Sequence, residues 1–164
     1  MIFVTVGTHE QQFDRLIKYI DKLVENGEIT EEVIIQTGFS NYKPKRCKFS
    51  RLMPYNEMIN NIKEARIIIT HGGPATFVMP LHIGKIPIVV PRLKRFNEHI
   101  NDHQLEFAKL VKERNKNIIV IEEIDTLSDV LKSYDKFIEL MPRGIKSNNE
   151  KFNKDFDRII KEII

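Results

Sequence analysis

The chain has 164 residues, of which 41% are hydrophobic and 30% charged, a composition typical of one folded, soluble domain rather than a disordered chain. Lysine and arginine exceed aspartate and glutamate by 26 to 23, and this slight excess does not indicate a nucleic-acid-binding protein. Cys47 is the single cysteine, so no intrachain disulfide is expected, and the reducing cytoplasm is the compartment that fits best.

Short apolar runs rich in β-branched residues alternate with amphipathic segments, which predicts βα units and a parallel sheet. The first run reaches Gly7 too early for a signal peptide, and no run approaches the roughly 20 residues that span a bilayer. Any membrane contact is therefore expected to be peripheral. The predicted strands are 2–6, 33–36, 67–70, 86–90 and 118–121, with a further short strand at 47–49.

Helical spacing of apolar residues predicts a helix over 13–24, which Gly27 ends. Further helices are predicted at 55–63, 75–83, 102–114 and 126–140, the last of them capped by Asp125 or Thr126. After a breaker at 141–144, an apolar stripe predicts a C-terminal helix within 145–164. Two interpretations of that helix stay open: it packs on its own domain, or it crosses onto a partner. Residues 1–164 are expected to form a single α/β domain, a Rossmann-like parallel sheet with helices on both faces.

The strongest local pattern follows the predicted strand 67–70, at the kind of position where open parallel sheets bind ligands. Two glycines let the backbone approach a ligand closely, a proline suits the first helical turn, and the exposed amides of that turn favour a diphosphate. We call these residues the glycine turn: His71, Gly72, Gly73, Pro74, Ala75 and Thr76. A tight strand-to-helix turn without a ligand is the alternative, and His71 either orients a ligand or serves in packing.

Two other polar segments follow predicted strands. Gly7, Thr8 and His9 come after the first strand and offer close backbone approach and hydrogen bonds. A denser polar segment follows strand 86–90. Its candidate residues are Arg92, His99, Asn101, Asp102, His103 and Gln104.

No metal site is expected from the sequence. His99 and His103 are four residues apart, but this spacing defines no further converging zinc ligands. Asp155 and Asp157 are two apart within a predicted helix, where they point to different sides.

Five basic residues cluster between positions 43 and 51. They are Lys43, Lys45, Arg46, Lys48 and Arg51. Two interpretations stay open for them: a solvated surface, and a surface that contacts phospholipid or a partner.

Taken in order, these motifs resemble the glycosyltransferase family 28 C-terminal domain in its free-standing form. The resemblance rests on residues 4–8 with 13–16, on the glycine turn, on 84–92, and on 98–99 with 101–104, and it covers roughly residues 1–110 well. The chain is similar to subunits of bacterial capsule and exopolysaccharide transferases, and to their eukaryotic counterpart in dolichol-linked oligosaccharide assembly. The resemblance implies the C-terminal, donor-binding half of a GT-B enzyme, with a separate membrane-associated subunit supplying the acceptor-binding half.

The resemblance also implies an activity. This is an inverting transfer of galactose or N-acetylglucosamine from a UDP-sugar to a polyprenyl-diphosphate-linked sugar acceptor, with no metal or other cofactor. The glycine turn from Gly72 to Thr76 would hold the diphosphate, 101–104 would face the donor sugar, and 7–9 would line the interdomain cleft. His9 is the candidate general base, although the partner is another possible source of that base.

One position departs from the family pattern. Many relatives place a glutamate that can bind ribose hydroxyls where this chain has Met79. That departure motivates an alternative function, a noncatalytic nucleotide-binding or scaffold subunit. A sugar-nucleotide epimerase is a further alternative, but it normally needs two covalently linked halves.

Overall fold

The computed structural model describes residues 1–144. The predicted C-terminal helix, in 145–164, lies outside the described residues, so neither interpretation of it is tested. The strands are β1 (Ile2–Thr5), β2 (Val33–Gln36), β3 (Lys48–Ser50), β4 (Ile67–His71), β5 (Ile88–Val90) and β6 (Ile119–Val120). The helices are α1 (Asp14–Glu25), α2 (Tyr55–Glu64), α3 (Pro74–His82), α4 (His103–Asn115), α5 (Leu127–Lys132) and α6 (Tyr134–Glu139), with 3₁₀ turns at Lys94–Phe96 and Ile124–Thr126.

The six strands form one parallel sheet in the order β3-β2-β1-β4-β5-β6. From β1 the chain adds β2 and β3 on one side and then β4, β5 and β6 on the other, so the winding direction reverses between β1 and β4. Open α/β sheets bind ligands beyond the carboxyl ends of the strands at such a reversal. The topology therefore selects residues 7–9 and the glycine turn from all the loops of the fold.

Alternating side chains of the strands cover both faces of the sheet. Ile2 and Val4 lie in a core cluster with residues of α1 and α5, whereas Phe3 and Ile68 lie in a second cluster with Ile62 of α2. Helices α3 and α4 pack against β5 and β6 in a third cluster. Full burial of an isoleucine or phenylalanine contributes about 1.5–3 kcal/mol, so both faces stabilise the sheet. The predicted fold class, a Rossmann-like parallel sheet with helices on both faces, is confirmed.

Most element bounds agree with the sequence prediction, but the predicted helix 126–140 is divided. The backbone leaves helical geometry at Ser133 (φ −110°, ψ 11°), so that α5 and α6 are separate helices. The buried Tyr134 hydroxyl next to this break donates to the Ile86 carbonyl, 2.6 Å away. The predicted cap is also wrong, because Thr126 donates its hydroxyl to the Glu123 carbonyl and no side chain caps α5.

The end of α1 follows the prediction. Gly27 has φ +76°, a conformation that favours glycine, and its amide donates to the Val24 carbonyl. Among residues 1–144, no helix is long and apolar enough to cross a membrane.

Candidate functional site

A cleft of about 420 Å³ opens at the reversal between β1 and β4. It joins the two predicted segments, because both 7–9 and most of the glycine turn contribute to its walls. The lining residues are Thr5, Gly7, Thr8, His9, Gln36, Met58, His71, Gly73, Pro74, Ala75, Thr76 and Met79. Another hollow, of about 530 Å³, lies beside α4 and contains none of the predicted site residues.

The N-terminus of α3 is uncapped and forms one side of this cleft. Gly73 is the N-cap residue in extended conformation, Pro74 begins the helix, and no side chain accepts a hydrogen bond from the first-turn amides. The first amides of a helix have no intrahelical acceptor, and the helix dipole adds partial positive charge at the same place. An anion is the natural ligand of such a helix end.

The His71 ring accounts for two of the glycines by packing. A Cβ on Gly7 would lie 2.4 Å from His71 Cε1, and a Cβ on Gly73 would lie 2.3 Å from His71 Nε2. The imidazole therefore fills the space that side chains at both positions need. The sequence pattern had suggested that these glycines allow close approach of a ligand, whereas in the fold the neighbour at Gly7 and Gly73 is the His71 ring.

The floor of the cleft is polar and only partly satisfied. Burial, together with the nearby positive charge of Arg92, lowers the pKa of His71 to about 4, so its ring is neutral at neutral pH. Within the described residues, His71 Nδ1 and Thr70 Oγ1 are buried without a protein hydrogen-bond partner. Buried polar atoms usually have a partner, and a bound ligand or an ordered water would supply one here.

His9 lies at the mouth of the cleft with its ring stacked on His99, the centroids 4.9 Å apart. His9 Nδ1 accepts a hydrogen bond from the Gln11 amide (3.2 Å), and His99 Nδ1 accepts one from the Asn101 amide (3.3 Å). A neutral imidazole that accepts at Nδ1 carries its proton on Nε2. In this geometry His9 therefore presents an N–H donor rather than a free lone pair. Burial, then the charge of Arg92 and the neighbouring His99, lower the pKa of His9.

Arg92, predicted to bind substrate, lies beneath the site. Its side chain is completely buried, and its guanidinium stacks 4.9 Å from the Phe13 ring centroid. The guanidinium donates to four backbone carbonyls, those of Val6 (2.8 Å), Gln11 (2.8 Å), Gln12 (3.0 Å) and Glu98 (3.2 Å). These contacts leave it no access to the cleft, so Arg92 acts on the site by holding the loops after β1 and β5 together.

The segment 101–104 is used mainly within the protein. Gln104 Oε1 accepts from the amides of Gly72 (3.1 Å) and Arg92 (3.2 Å) and so ties the glycine turn to the end of β5. Asp102 Oδ1 accepts from the Lys94 amide (2.8 Å), and Asn101 Oδ1 accepts from the exposed His103 amide (3.2 Å). None of the four lines the cleft. Their contact with a donor sugar stays a prediction.

Sequence reasoning missed Glu98 as a site-building residue, although it had placed it in a motif. The Glu98 side chain is fully buried, accepts two hydrogen bonds from Arg15 (2.9 Å each), and accepts a third from the Leu93 amide (3.0 Å). This ion pair joins α1 to the loop that carries His99. Gln36 and Met58 were also missed; Gln36 ends a predicted strand, and the rule of carboxyl ends would have found it.

Within residues 1–144, no group of three or more histidine, cysteine, aspartate or glutamate side chains is arranged to hold a metal ion.

The sequence profile of the glycosyltransferase family 28 C-terminal domain matches residues 1–163. The chain belongs to this family. Among solved structures, the family 28 domain is similar to the glycotransferase of kitacinnamycin, with 16% identity, a TM-score of 0.51, and coverage of 85% of this chain and 34% of that one. It is also similar to MurG of Acinetobacter baumannii, with 16% identity, a TM-score of 0.54, and coverage of 82% and 41%.

At this identity the likeness to solved structures shows the fold alone. The family 28 domain spans only about a third to two fifths of those chains. No curated protein sequence matches it.

Proposed function

We propose that the family 28 domain is the donor-binding, catalytic subunit of an inverting glycosyltransferase that uses a UDP-sugar. The sugar is galactose or N-acetylglucosamine, and the acceptor is a polyprenyl-diphosphate-linked sugar in surface polysaccharide biosynthesis. The observation that carries this proposal is the uncapped N-terminus of α3 facing a cleft at the reversal of the sheet. Family membership supports the choice of a sugar donor over other phosphorylated ligands.

The proposed chemistry is displacement at the anomeric carbon, with a nucleoside diphosphate as the leaving group. Negative charge grows on the diphosphate as the bond to the sugar breaks. Fixed amides and the helix dipole stabilise such charge without reorganising during the reaction. The first turn of α3 supplies both, and we propose no metal and no further cofactor.

We further propose that a membrane-associated subunit supplies the acceptor-binding half and recruits this domain to the cytoplasmic face of the membrane. The matching family is that of a C-terminal domain, and the described cleft is open to solvent on the side away from the sheet. Copurification with such a subunit, and transferase activity of the pair with a polyprenyl-linked acceptor, would support this assignment.

Donor binding is tested first on the isolated chain, with thermal unfolding in UDP, UDP-galactose, UDP-N-acetylglucosamine and GDP-mannose. A ligand at about 100 times its dissociation constant should raise the free energy of unfolding by roughly 2.7 kcal/mol. Ala75 is exposed in the first turn of α3, so Ala75→Glu places a carboxylate beside the proposed diphosphate. We expect this variant to bind UDP roughly tenfold to a hundredfold more weakly, because like charges a few ångströms apart repel by about 1–4 kcal/mol.

Ala75→Gln is the matched control, since it has nearly the same size without the charge. A glutamate near a helix N-terminus also stabilises the helix, so Ala75→Glu should fold at least as well as the parent. Equal UDP affinity of both variants would contradict a diphosphate at α3. Stabilisation by GDP-mannose alone would reject a uridine donor.

His9 is our candidate catalytic residue, and its hydrogen bond to Gln11 favours one role over another. In the observed tautomer, His9 donates from Nε2, for example to a diphosphate oxygen. To act as a general base, the ring must first release the Gln11 amide. We therefore expect His9→Ala to weaken UDP binding several-fold and His9→Gln to retain most of the affinity, because the glutamine amide still donates. Titration calorimetry measures both.

The general-base role predicts a different pattern. UDP affinity would be unchanged in both variants, and turnover of the assembled enzyme would be lost equally in both. Turnover would also fall only at a pH below the ordinary histidine pKa of about 6.5, because the lowered pKa keeps His9 neutral until more acidic conditions.

A noncatalytic nucleotide-binding or scaffold subunit is the competing function, and one feature of the cleft favours it. Met58 and Met79 both line the cleft, so the position where many relatives have a glutamate contributes an apolar side chain. The two functions differ in a single measurement. Binding of a UDP-sugar without transfer in the assembled complex would favour the scaffold, and transfer that requires the cleft residues would reject it.

A further inference from the structure

We propose that the family 28 domain binds anionic membranes directly, through a basic and aromatic surface on the β3 side of the sheet. We call this surface the basic edge and define it as the exposed side chains of residues 39–55. The proposal concerns a surface outside the cleft and does not depend on which donor the cleft binds.

Charge is concentrated in this segment. Residues 39–55 contain five basic residues and no acidic one, a net charge of +5 against +3 for the whole chain, so the rest of the chain is net negative. All five basic side chains are exposed. Arg46 pairs with Glu25 and Lys48 pairs with Glu32, which leaves three that contact no carboxylate among residues 1–144. These three are Lys43, Lys45 and Arg51.

Apolar side chains accompany the charges. Tyr55 is 71% exposed and Leu52 is 52% exposed, and the exposed Phe39 ring lies 4.6 Å from the Arg51 guanidinium. Tyrosine and arginine are amphipathic side chains suited to a membrane interface, where one end is apolar and the other is hydrated. Exposed apolar groups next to unpaired cations are the combination that an anionic lipid surface satisfies.

The basic edge is held rigidly, so its side chains are presented as one surface. The buried Asp21 carboxylate of α1 accepts from the amides of Lys45 (2.9 Å) and Arg46 (2.7 Å), and Asp14 accepts from the amides of residues 41 and 42. At the other end of the segment, the Arg51 carbonyl accepts from the Gly38 amide (2.8 Å). The anchored backbone reduces the conformational entropy lost on binding.

The position of the apolar end relates this surface to the cleft. Arg51 and Leu52 directly follow the carboxyl end of β3, and Tyr55 begins α2, which also supplies Met58 to the cleft wall. Membrane contact there would place the mouth of the cleft close to the lipid surface, where a lipid-linked acceptor is found.

Neither strand protection nor a protein partner accounts for the cations of the basic edge as well as a membrane does. Lysine on an edge strand discourages pairing with other strands, which accounts for Lys48 but not for cations outside β3. The centres of protein interfaces are depleted in lysine, whereas lysine provides two of the three unpaired cations. Lysine does suit lipid headgroups, each residue near an anionic surface contributing about a fivefold gain in binding.

The test is cosedimentation of the full chain with vesicles of phosphatidylcholine, with and without phosphatidylglycerol. We expect binding only when phosphatidylglycerol is present, and weaker binding at high salt because salt screens exposed charges. Lys43→Gln/Lys45→Gln/Arg51→Gln should bind roughly a hundredfold more weakly. Leu52→Ser/Tyr55→Ser should also reduce binding while leaving the charge unchanged.

Lys112→Gln/Arg114→Gln/Lys116→Asn is the matched control. It removes the same number of exposed cations from the C-terminal end of α4, which packs beside β6 at the opposite edge of the sheet. Binding that survives in this control but not in the first triple variant supports the basic edge. Equal loss in both triple variants, no binding to anionic vesicles, or loss of a protein partner with vesicle binding intact would each overturn the proposal.

Discussion

Replacing Arg92 with methionine is expected to lower the free energy of unfolding by about 3–5 kcal/mol, because it removes one partner from a buried, hydrogen-bonded charge network. Methionine fills much of the space but donates no hydrogen bond. Four backbone carbonyls then lose their donor, and the negative charge of Glu98 is balanced only by Arg15. Urea unfolding followed by circular dichroism measures the change.

The effect of this substitution on the site should exceed its effect on stability alone. Arg92 holds the loop with His9 against the loop with His99, so UDP affinity should fall even at temperatures where the variant is folded. Arg92→Lys should not restore stability, because a single ammonium group cannot reproduce the planar fork of donors.

Arg95→Met is the control for Arg92→Met. Arg95 is exposed and pairs with Glu123 at 2.8 Å, and a surface ion pair contributes only about 0–1 kcal/mol. An Arg92→Met protein as stable as the Arg95→Met protein would show that the buried network does not hold the loops together.

Gly73→Ala is expected to destabilise the fold by about 1–3 kcal/mol and to disrupt UDP binding, as overpacking of a filled site does. The backbone at Gly73 (φ −72°, ψ 124°) suits alanine, so the penalty comes from the clash and not from the backbone. The obstacle is the His71 ring, which is buried between Gly7 and Gly73 and cannot easily move.

A double-mutant cycle separates packing from ligand contact at this position. If the His71 ring is the obstacle, Gly73→Ala should have little effect on stability in a His71→Ala background, with a coupling energy of about 0.5–3 kcal/mol. UDP binding that returns in the double variant would show that the methyl group does not occupy ligand space. An unchanged penalty for Gly73→Ala in both backgrounds would contradict a clash with the His71 ring.

Local patterns in the sequence were sufficient for the elements. The β-branched runs are long and apolar enough to identify buried parallel strands, and the spacing in α1 identifies its buried face. The division between α5 and α6 was not predictable in this way. Ser133 permits a continuous helix by its own preference, and the break accompanies a distant hydrogen bond from Tyr134 to Ile86.

The candidate site divides similarly. Its two principal segments were predicted because the carboxyl ends of parallel strands meet along one edge. The roles of Arg92 and Gln104 were not, since a polar residue after a strand serves a ligand and a loop equally well by sequence. Only the fold shows that the four donor contacts of Arg92 and the two acceptor contacts of Gln104 are made within the protein.

The sequence by itself determined the α/β class, the glycine turn, and the resemblance to family 28, because periodicity and short motifs are properties of neighbouring residues. The tertiary structure alone decided the strand order, the reversal between β1 and β4, and the stacking of His9 on His99. It also decided that His71 fills the space above Gly7 and Gly73. These features join residues that are tens of positions apart, and such contacts arise from the packing of whole elements rather than from any local preference.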